Sequence, residues 1–313
     1  MIRSKNPHLC QDFLMPTWDK IINEFQPVFP SHLEILKDYI TKLSEHTGNT
    51  TICYFSAFTT IRKQAPSSHL SIIDQDMQGF MTCSHNVKKD CLDLIIHTPG
   101  GDFEATKRII SYLHQIYDKI RVFVPHLSMS GGTLIACAAD EIYMGPYSSL
   151  GPTDPQIPIN GAYVPVGGII KEIQTAFEEV EKNPQRALLW QQRLNSIPIG
   201  MYNAIMNLID NSEKYLIELL AIRNCKNNGC NIPELAKFLN SHDKHSGHGR
   251  GINLALAKET GLNVVDLSED KELEDRVLSI YHAAAVLFDM NNTTTKIIMN
   301  NSGGSYIISY NGN

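Results

Sequence analysis

Between Leu92 and Met144 the apolar positions alternate between short solid runs and helical spacing. Leu92–His97 (LDLIIH) is a nearly continuous apolar run, the pattern of a strand covered on both faces in a parallel sheet. It ends in Thr98-Pro99-Gly100-Gly101. From Asp102 onward, Ala105, Ile109, Ile110, Leu113 and Ile116 recur at three- to four-residue spacing, which predicts a helix. Arg121–Pro125 (RVFVP) reads as a second strand, the turn His126–Gly131 leads into a small-residue helix over Gly132–Ala139, and Glu141–Met144 (EIYM) reads as a third strand. This order predicts right-handed crossovers and a mostly parallel sheet in an α/β fold.

Upstream, residues 17–47 read as two amphipathic helices broken near Pro27 and Pro30, Thr51–Phe55 (TICYF) as a short strand, and Ile72–Met81 as a helix. Beyond Pro158 the pattern becomes helical: Ile169–Lys182, then almost all of Gln185–Leu239. Asn263–Leu267 returns one strand, and Asp270–Met290 reads as a further helix. The stretch after Asn291 is rich in Asn, Ser and Gly and reads as a mobile tail. The expected organisation is an N-terminal helical segment (1–50), an α/β core (51–184), a helical C-terminal arm (185–290) and the tail (291–313).

Composition narrows the function classes. Of 313 residues 42% are apolar and 19% charged, a globular balance, and the net charge of -6 gives no reason to expect nucleic acid or an anionic membrane as partner. No apolar run approaches the ~20 residues of a spanning helix. Met1–Trp18 lacks the basic, apolar and small-residue succession of a signal peptide. The seven cysteines are odd in number and scattered, which fits reduced thiols and a cytoplasmic setting.

The chemistry concentrates in two glycine turns, Pro99-Gly100-Gly101 and Ser128-Met129-Ser130-Gly131-Gly132. Both follow strands, and ligands of an open parallel sheet bind at the carboxyl ends of its strands. Ser130 stands between a strand and a helix N-terminus, where its hydroxyl can face outward beside free amides and the positive helix end. Acyl transfer needs that pairing of an alcohol nucleophile with preorganised N–H donors. The plainer alternative is an N-cap serine. A phosphate cradle is disfavoured because the Gly-x-Gly-x-x-Gly spacing is absent, and an α/β-hydrolase elbow because the sequence is not Gly-x-Ser-x-Gly.

HTPGGDFEATKRIISYL (His97–Leu113) and RVFVPHLSMSGGTLIACAADEIYMGPYSSLGPTDPQ (Arg121–Gln156) resemble the serine dehydrogenase proteinase family. That family belongs to the Clp-protease/crotonase superfamily and is close to signal peptide peptidase A. Weaker likeness extends from Ser71–Met81 (SIIDQDMQGFM) to His248–Ile252 (HGRGI) and Gly261–Leu267 (GLNVVDL). The resemblance implies a Clp/crotonase-like sheet with flanking helices and an ATP-independent serine peptidase acting on a peptide or protein substrate. It implies that Ser130 is the nucleophile, that the Gly101 and Gly131 amides form the oxyanion hole with Gly100 and Gly132 beside the substrate, and that the chain forms a closed homo-oligomer.

The general base is less plain. Ser149–Pro155, where the Clp protease resemblance would place a histidine, has none; Asp154 occupies about that place. A carboxylate alone is a poor base for an alcohol at neutral pH. Likeness to signal peptide peptidase A points instead to a downstream lysine, and Lys171 lies near a predicted helix start after Val166-Gly167-Gly168. A lysine serves when desolvation keeps it neutral. His248, among glycines and near His242 and His245, is the third candidate. His97 and His126 flank the turns and read as packing residues at strand ends.

Cys225-x4-Cys230 followed by His242, His245 and His248 does not have the spacing of a zinc ribbon or finger, so no metal is expected. No motif for a nucleotide, flavin or haem is present, and no cofactor is expected. Two other classes stay open: a crotonase-type acyl-CoA enzyme, whose fold holds an enolate with the same paired amides, and an interaction protein that keeps the fold without hydrolysis.

Overall fold

The computed structural model describes residues 32–60, 65–159, 162–195, 197–198, 200–225, 229–241 and 251–311. Helix α1 (His32–Thr47) leads into strand β1 (Thr50–Ser56), every residue of which is buried. A short helix α2 (Ser67–Leu70) and helix α3 (Asp76–Cys83) precede β2 (Cys91–His97). Then follow α4 (Phe103–Ile116), β3 (Lys119–Val124), β4 (Leu127–Ser128), α5 (Gly131–Cys137), β5 (Glu141–Met144) and β6 (Ser149–Leu150). The hairpin of β7 (Gln156–Ile159) and β8 (Ala162–Pro165) opens the helical part, α6 (Val166–Lys182), α7 (Ala187–Leu194), α8 (Met201–Ile222) and α9 (Ile232–Leu239). The chain returns through β9 (Ile252–Asn253), α10 (Leu254–Glu259), β10 (Val264–Asp266) and α11 (Lys271–Met290) to β11 (Thr294–Asn300) and β12 (Ser305–Ser309).

The main sheet runs β10-β5-β3-β2-β1-β11-β12. Its first five strands are mutually parallel, β11 runs antiparallel to β1 and β12 antiparallel to β11, so the fold is α/β with a mostly parallel sheet, as the solid apolar runs imply. Strand side chains alternate faces. Ile52, Tyr54, Leu94, Ile96, Val122 and Val124 join one core beneath α4, α5, α8 and α9. Cys53, Phe55, Ile95 and Phe123 join a second beneath α1 and α11. A third, smaller core fastens α6 to α8 through Val166, Ile169, Ile173 and Ile205.

Two expectations change. The residues read as a tail build β11 and β12, and all seven residues of β11 are buried. Their Asn, Ser and Gly residues supply turn chemistry: the Asn300 side-chain oxygen accepts the amides of Ser302 at 2.9 Å and Gly304 at 2.7 Å, and Gly303 has φ +95°. The helix expected over Ile72–Met81 starts only at Asp76, because the backbone groups of Ile72 are taken by a bridge to Gly101. The first of the two helices expected over residues 17–47 lies outside the described residues.

Candidate active site

The turn after β2 is built by two clamps. On one side Thr98 bridges to Ser128: its N–H donates to the Leu127 carbonyl at 3.0 Å, and its carbonyl accepts the Met129 N–H at 3.0 Å. On the other side the Ile72 N–H donates to the Gly100 carbonyl at 2.7 Å, and the Asp102 N–H donates to the Ile72 carbonyl at 2.9 Å. Gly100 has φ +90°, which a side chain would strain. In a planar trans peptide the C=O and the next N–H point opposite ways. With the Gly100 carbonyl turned to Ile72, the Gly101 N–H therefore points away from it, toward the second turn. Asp102 caps α4 by accepting the Ala105 N–H at 2.7 Å.

The second turn places Ser130 at the head of α5 with φ 49° and ψ -112°. Positive φ is uncommon for a residue with a side chain and costs on the order of 1–3 kcal/mol. The Ser130 hydroxyl makes no capping bond, which separates it from Asp102 and from the plain N-cap reading. Thr133, one turn into α5, fixes the base of the turn. Its hydroxyl lies 2.8 Å from both the Ser128 and Gly151 carbonyl oxygens and accepts the Gly151 N–H at 3.1 Å.

The two turns touch. A Cβ built on Gly131 would stand 3.4 Å from the Gly101 nitrogen, and one built on Gly100 would stand 2.8 Å from the Gly131 nitrogen. Gly100 and Gly132 are both buried, and their missing side chains permit this contact; a Cβ on Gly132 would meet Thr98 at 2.5 Å. Among the described residues, no acceptor takes the amide of Gly101 or Gly131. Such an arrangement can hold a developing oxyanion between two N–H donors beside a half-buried hydroxyl.

The candidate bases are placed unequally. Asp154 is buried in the segment after β6, where the Thr153 N–H donates to the Leu239 carbonyl at 2.8 Å. Lys171 is exposed on α6. His248, with His242 and His245, lies outside the described residues; four positions on, Ile252 of β9 pairs with Leu150 of β6, which neighbours β4. Among the described residues the Ser130 hydroxyl has no hydrogen-bond partner, so neither Asp154 nor Lys171 is hydrogen-bonded to it. His97 faces the other core: one ring nitrogen meets the Leu127 backbone at 3.2 Å and the other the Thr59 hydroxyl at 3.2 Å. Burial, helped by nearby His126, pushes its pKa down to about 3. His126 stacks on it at 5.4 Å and bonds the Tyr281 hydroxyl at 2.8 Å. Among the described residues no three His, Cys, Asp or Glu side chains gather as a metal site.

Sequence reasoning misses Ile72 and Thr98, which position the turns through backbone atoms. The apolar spacing around Ile72 suits a helix, and only the pairing with Gly101 reveals its role. Asp74-x-Asp76, ahead of a helical run, carries a faint signal of a helix start at that point.

Residues 69–223 match the family of ClpP-like SDH-type serine proteinases, a span holding both turns, Asp154 and Lys171. The uncharacterized protein MJ0137 of Methanocaldococcus jannaschii is 36% identical over 235 residues, 75% of this chain and 73% of that protein. The uncharacterized protein MJ1495 of the same organism is 46% identical over 89 residues, 28% of this chain and 29% of that one. Among solved structures, a serine-to-alanine variant of the 1510-N membrane-bound stomatin-specific protease is similar at 17% identity and TM-score 0.39, covering 64% of this chain and 77% of that one. A lysine variant of that protease in complex with a substrate peptide stands at 16% and 0.39, covering 62% and 70%. Among the described residues no helix is long and apolar enough to cross a membrane. With both glycine turns inside the matched span and three quarters of the chain aligned to MJ0137, the chain belongs to the ClpP-like SDH-type serine proteinase family.

Proposed function

We propose that the chain is a serine peptidase that cleaves peptide bonds through an acyl-enzyme on Ser130, without ATP or a cofactor. One observation carries the reading: a serine at φ 49° that caps nothing, set beside the two unspent amides of Gly101 and Gly131. In this reading the Ser130 oxygen attacks the scissile carbonyl carbon while its proton passes to a general base. The carbonyl oxygen becomes an oxyanion held by the Gly101 and Gly131 N–H groups. Collapse breaks the C–N bond, the amine leaves with the proton from the base, and water then releases the acyl group by the same steps. His248 is the proposed base and Lys171 the alternative, with Asp154 as a buried orienting carboxylate.

The cytoplasm is the proposed setting, and a closed homo-oligomer would shelter the sites. Phe177 on α6 and Leu188 and Leu189 on α7 are 72%, 69% and 64% exposed, apolar surface that an assembly would cover. Light scattering should find species well above 35.1 kDa. A monomer at every concentration removes the oligomer.

Purified protein should hydrolyse an unstructured protein or a peptide reporter, and a fluorophosphonate probe should label Ser130. Ser130→Ala should abolish both, and unchanged turnover in that variant sinks the assignment. The lack of a hydrogen-bond partner for the Ser130 hydroxyl among the described residues favours one second reading, an interaction protein without hydrolysis. Single-turnover acylation by an activated ester, absent in Ser130→Ala, decides against it.

A further inference from the structure

Lys296 and Asp76 form an ion pair at 2.7 Å in which neither side chain is exposed. Lys296 arrives on β11, and its ammonium also donates to the Ser71 carbonyl at 2.8 Å. The other oxygen of Asp76 accepts from the Tyr54 hydroxyl of β1 at 2.8 Å and from the Ile73 N–H at 3.0 Å. A buried ion pair is weak evidence for stability, because well-packed apolar residues often serve as well in its place. What this pair does hold is a particular stretch of backbone. Ser71 and Ile73, the residues on either side of Ile72, are each gripped by one member of the pair.

Ile72 in turn grips Gly101. Its N–H bonds the Gly100 carbonyl and its carbonyl accepts the Asp102 N–H, so its position sets the plane of the Gly100–Gly101 peptide. Ile72 belongs to no strand and pairs with Gly101 as an isolated bridge. Its placement therefore depends on what holds its neighbours. An amide that stabilises an oxyanion is effective only when held to within fractions of an ångström.

We infer that Lys296 and Asp76, with Tyr54, are positioning residues for the Gly101 amide, acting through Ser71, Ile72 and Ile73. The catalytic consequence rests on the peptidase reading; the mechanical link from β11 to the turn does not. A residue of the C-terminal hairpin thus bears on a site formed by segments nearly 170 to 200 positions upstream.

Two variants test this. Tyr54→Phe removes one donor and leaves the ion pair and the ring packing. Lys296→Met with Asp76→Asn removes both charges together, so no buried charge is stranded. Amide exchange is followed at Asp102 and along β2 and β3, and kcat and KM are measured at a temperature where each variant is folded by circular dichroism. The expected result is exchange at Asp102 at least about tenfold faster while β2 and β3 keep their protection. With it, kcat should fall about 10- to 100-fold at a KM held within about twofold. If the double variant does not fold, Tyr54→Phe carries the test alone. Uniformly faster exchange along the chain, or unchanged kcat in folded variants, overturns the proposal. Failure of the peptidase reading looks different: wild type and Ser130→Ala would then be equally inactive, and exchange at Asp102 alone would decide the mechanical link.

Discussion

Gly100 and Ser130 meet back to back: a Cβ added to Gly100 would stand 2.7 Å from the Ser130 Cβ and 2.5 Å from the Met129 carbonyl oxygen. The turns after β2 and β4 therefore form one packed unit. Gly100→Ala would both force a side chain onto φ +90° and wedge the turns apart. Ser130-dependent hydrolysis should fall by about 10²-fold or more, the scale of a misplaced reacting group, and the Tm should drop. Gly168→Ala is the control, since a Cβ there has nothing within 4 Å and the site lies in helix α6. It should keep activity and gain up to about 1 kcal/mol of stability. Equal losses in the two variants would show that contact between the turns is not the cause.

The strain at Ser130 predicts an opposition between stability and activity. At φ 49° a glycine is at ease, whereas alanine keeps the Cβ penalty without the hydroxyl. Ser130→Gly and Ser130→Ala should both be inactive, yet the glycine variant should be the more stable by about 1 kcal/mol. Urea melts of the pair check it, and a glycine variant less stable than the alanine variant refutes it.

The central strands are legible in the sequence because their burial depends on their own residues: a sheet covered on both faces needs solid apolar runs, and LDLIIH has one. Ser130 is legible for a similar reason, since the glycines and small residues that let α5 approach the first turn are its neighbours in the chain. Relationships between distant segments are not. The Ile72 amide could satisfy a helix as well as the Gly100 carbonyl, and nothing in its own neighbourhood chooses. Lys296 finds Asp76 across 220 positions, and a lysine between Thr295 and Ile297 reads as an exposed residue until β11 is known to be covered. The composition of residues 291–313 misleads because Asn, Ser and Gly serve tight turns and loose tails alike; the uninterrupted aromatic and β-branched run Tyr306-Ile307-Ile308 is the better guide.

Burial of His97 predicts acid sensitivity. Its folded pKa of about 3 lies below the unfolded value of about 6.5, so the unfolded state binds the extra proton between them. The stability is complete above about pH 6.5 and is lost as the pH falls toward 3. Between pH 6.5 and 4.5 this one group should cost about 2 kcal/mol. Burial lowers His126 and His114 as well, which adds in the same direction. His97→Gln can still reach the Thr59 hydroxyl and the Leu127 backbone but does not titrate. Urea denaturation of both proteins across this range should give a shallower pH slope for the variant, and parallel slopes would remove His97 as the origin.

The identity of the base gives the last prediction. The described residues include Lys171 and Asp154, and among them the Ser130 hydroxyl finds no partner. A lysine base must be desolvated to be neutral near pH 7, and Lys171 stands exposed on α6. A histidine base does not depend on such desolvation, because the ordinary imidazole range already straddles neutral pH. Ile252, a chain neighbour of His248, is fixed to β6, beside the strand that leads into Ser130. His248→Ala should therefore lose at least about 10²-fold in kcat/KM, the usual scale of a general base, while Lys171→Met stays within a few-fold of wild type. The wild-type profile should rise through about pH 6.5 and level off; a lysine base would keep it rising into the alkaline range. Loss of turnover in Lys171→Met with His248→Ala active would reverse the assignment. Full activity in both would move the base to Asp154 or to a neighbouring subunit, which Asp154→Asn and mixed oligomers of Ser130→Ala with His248→Ala would separate.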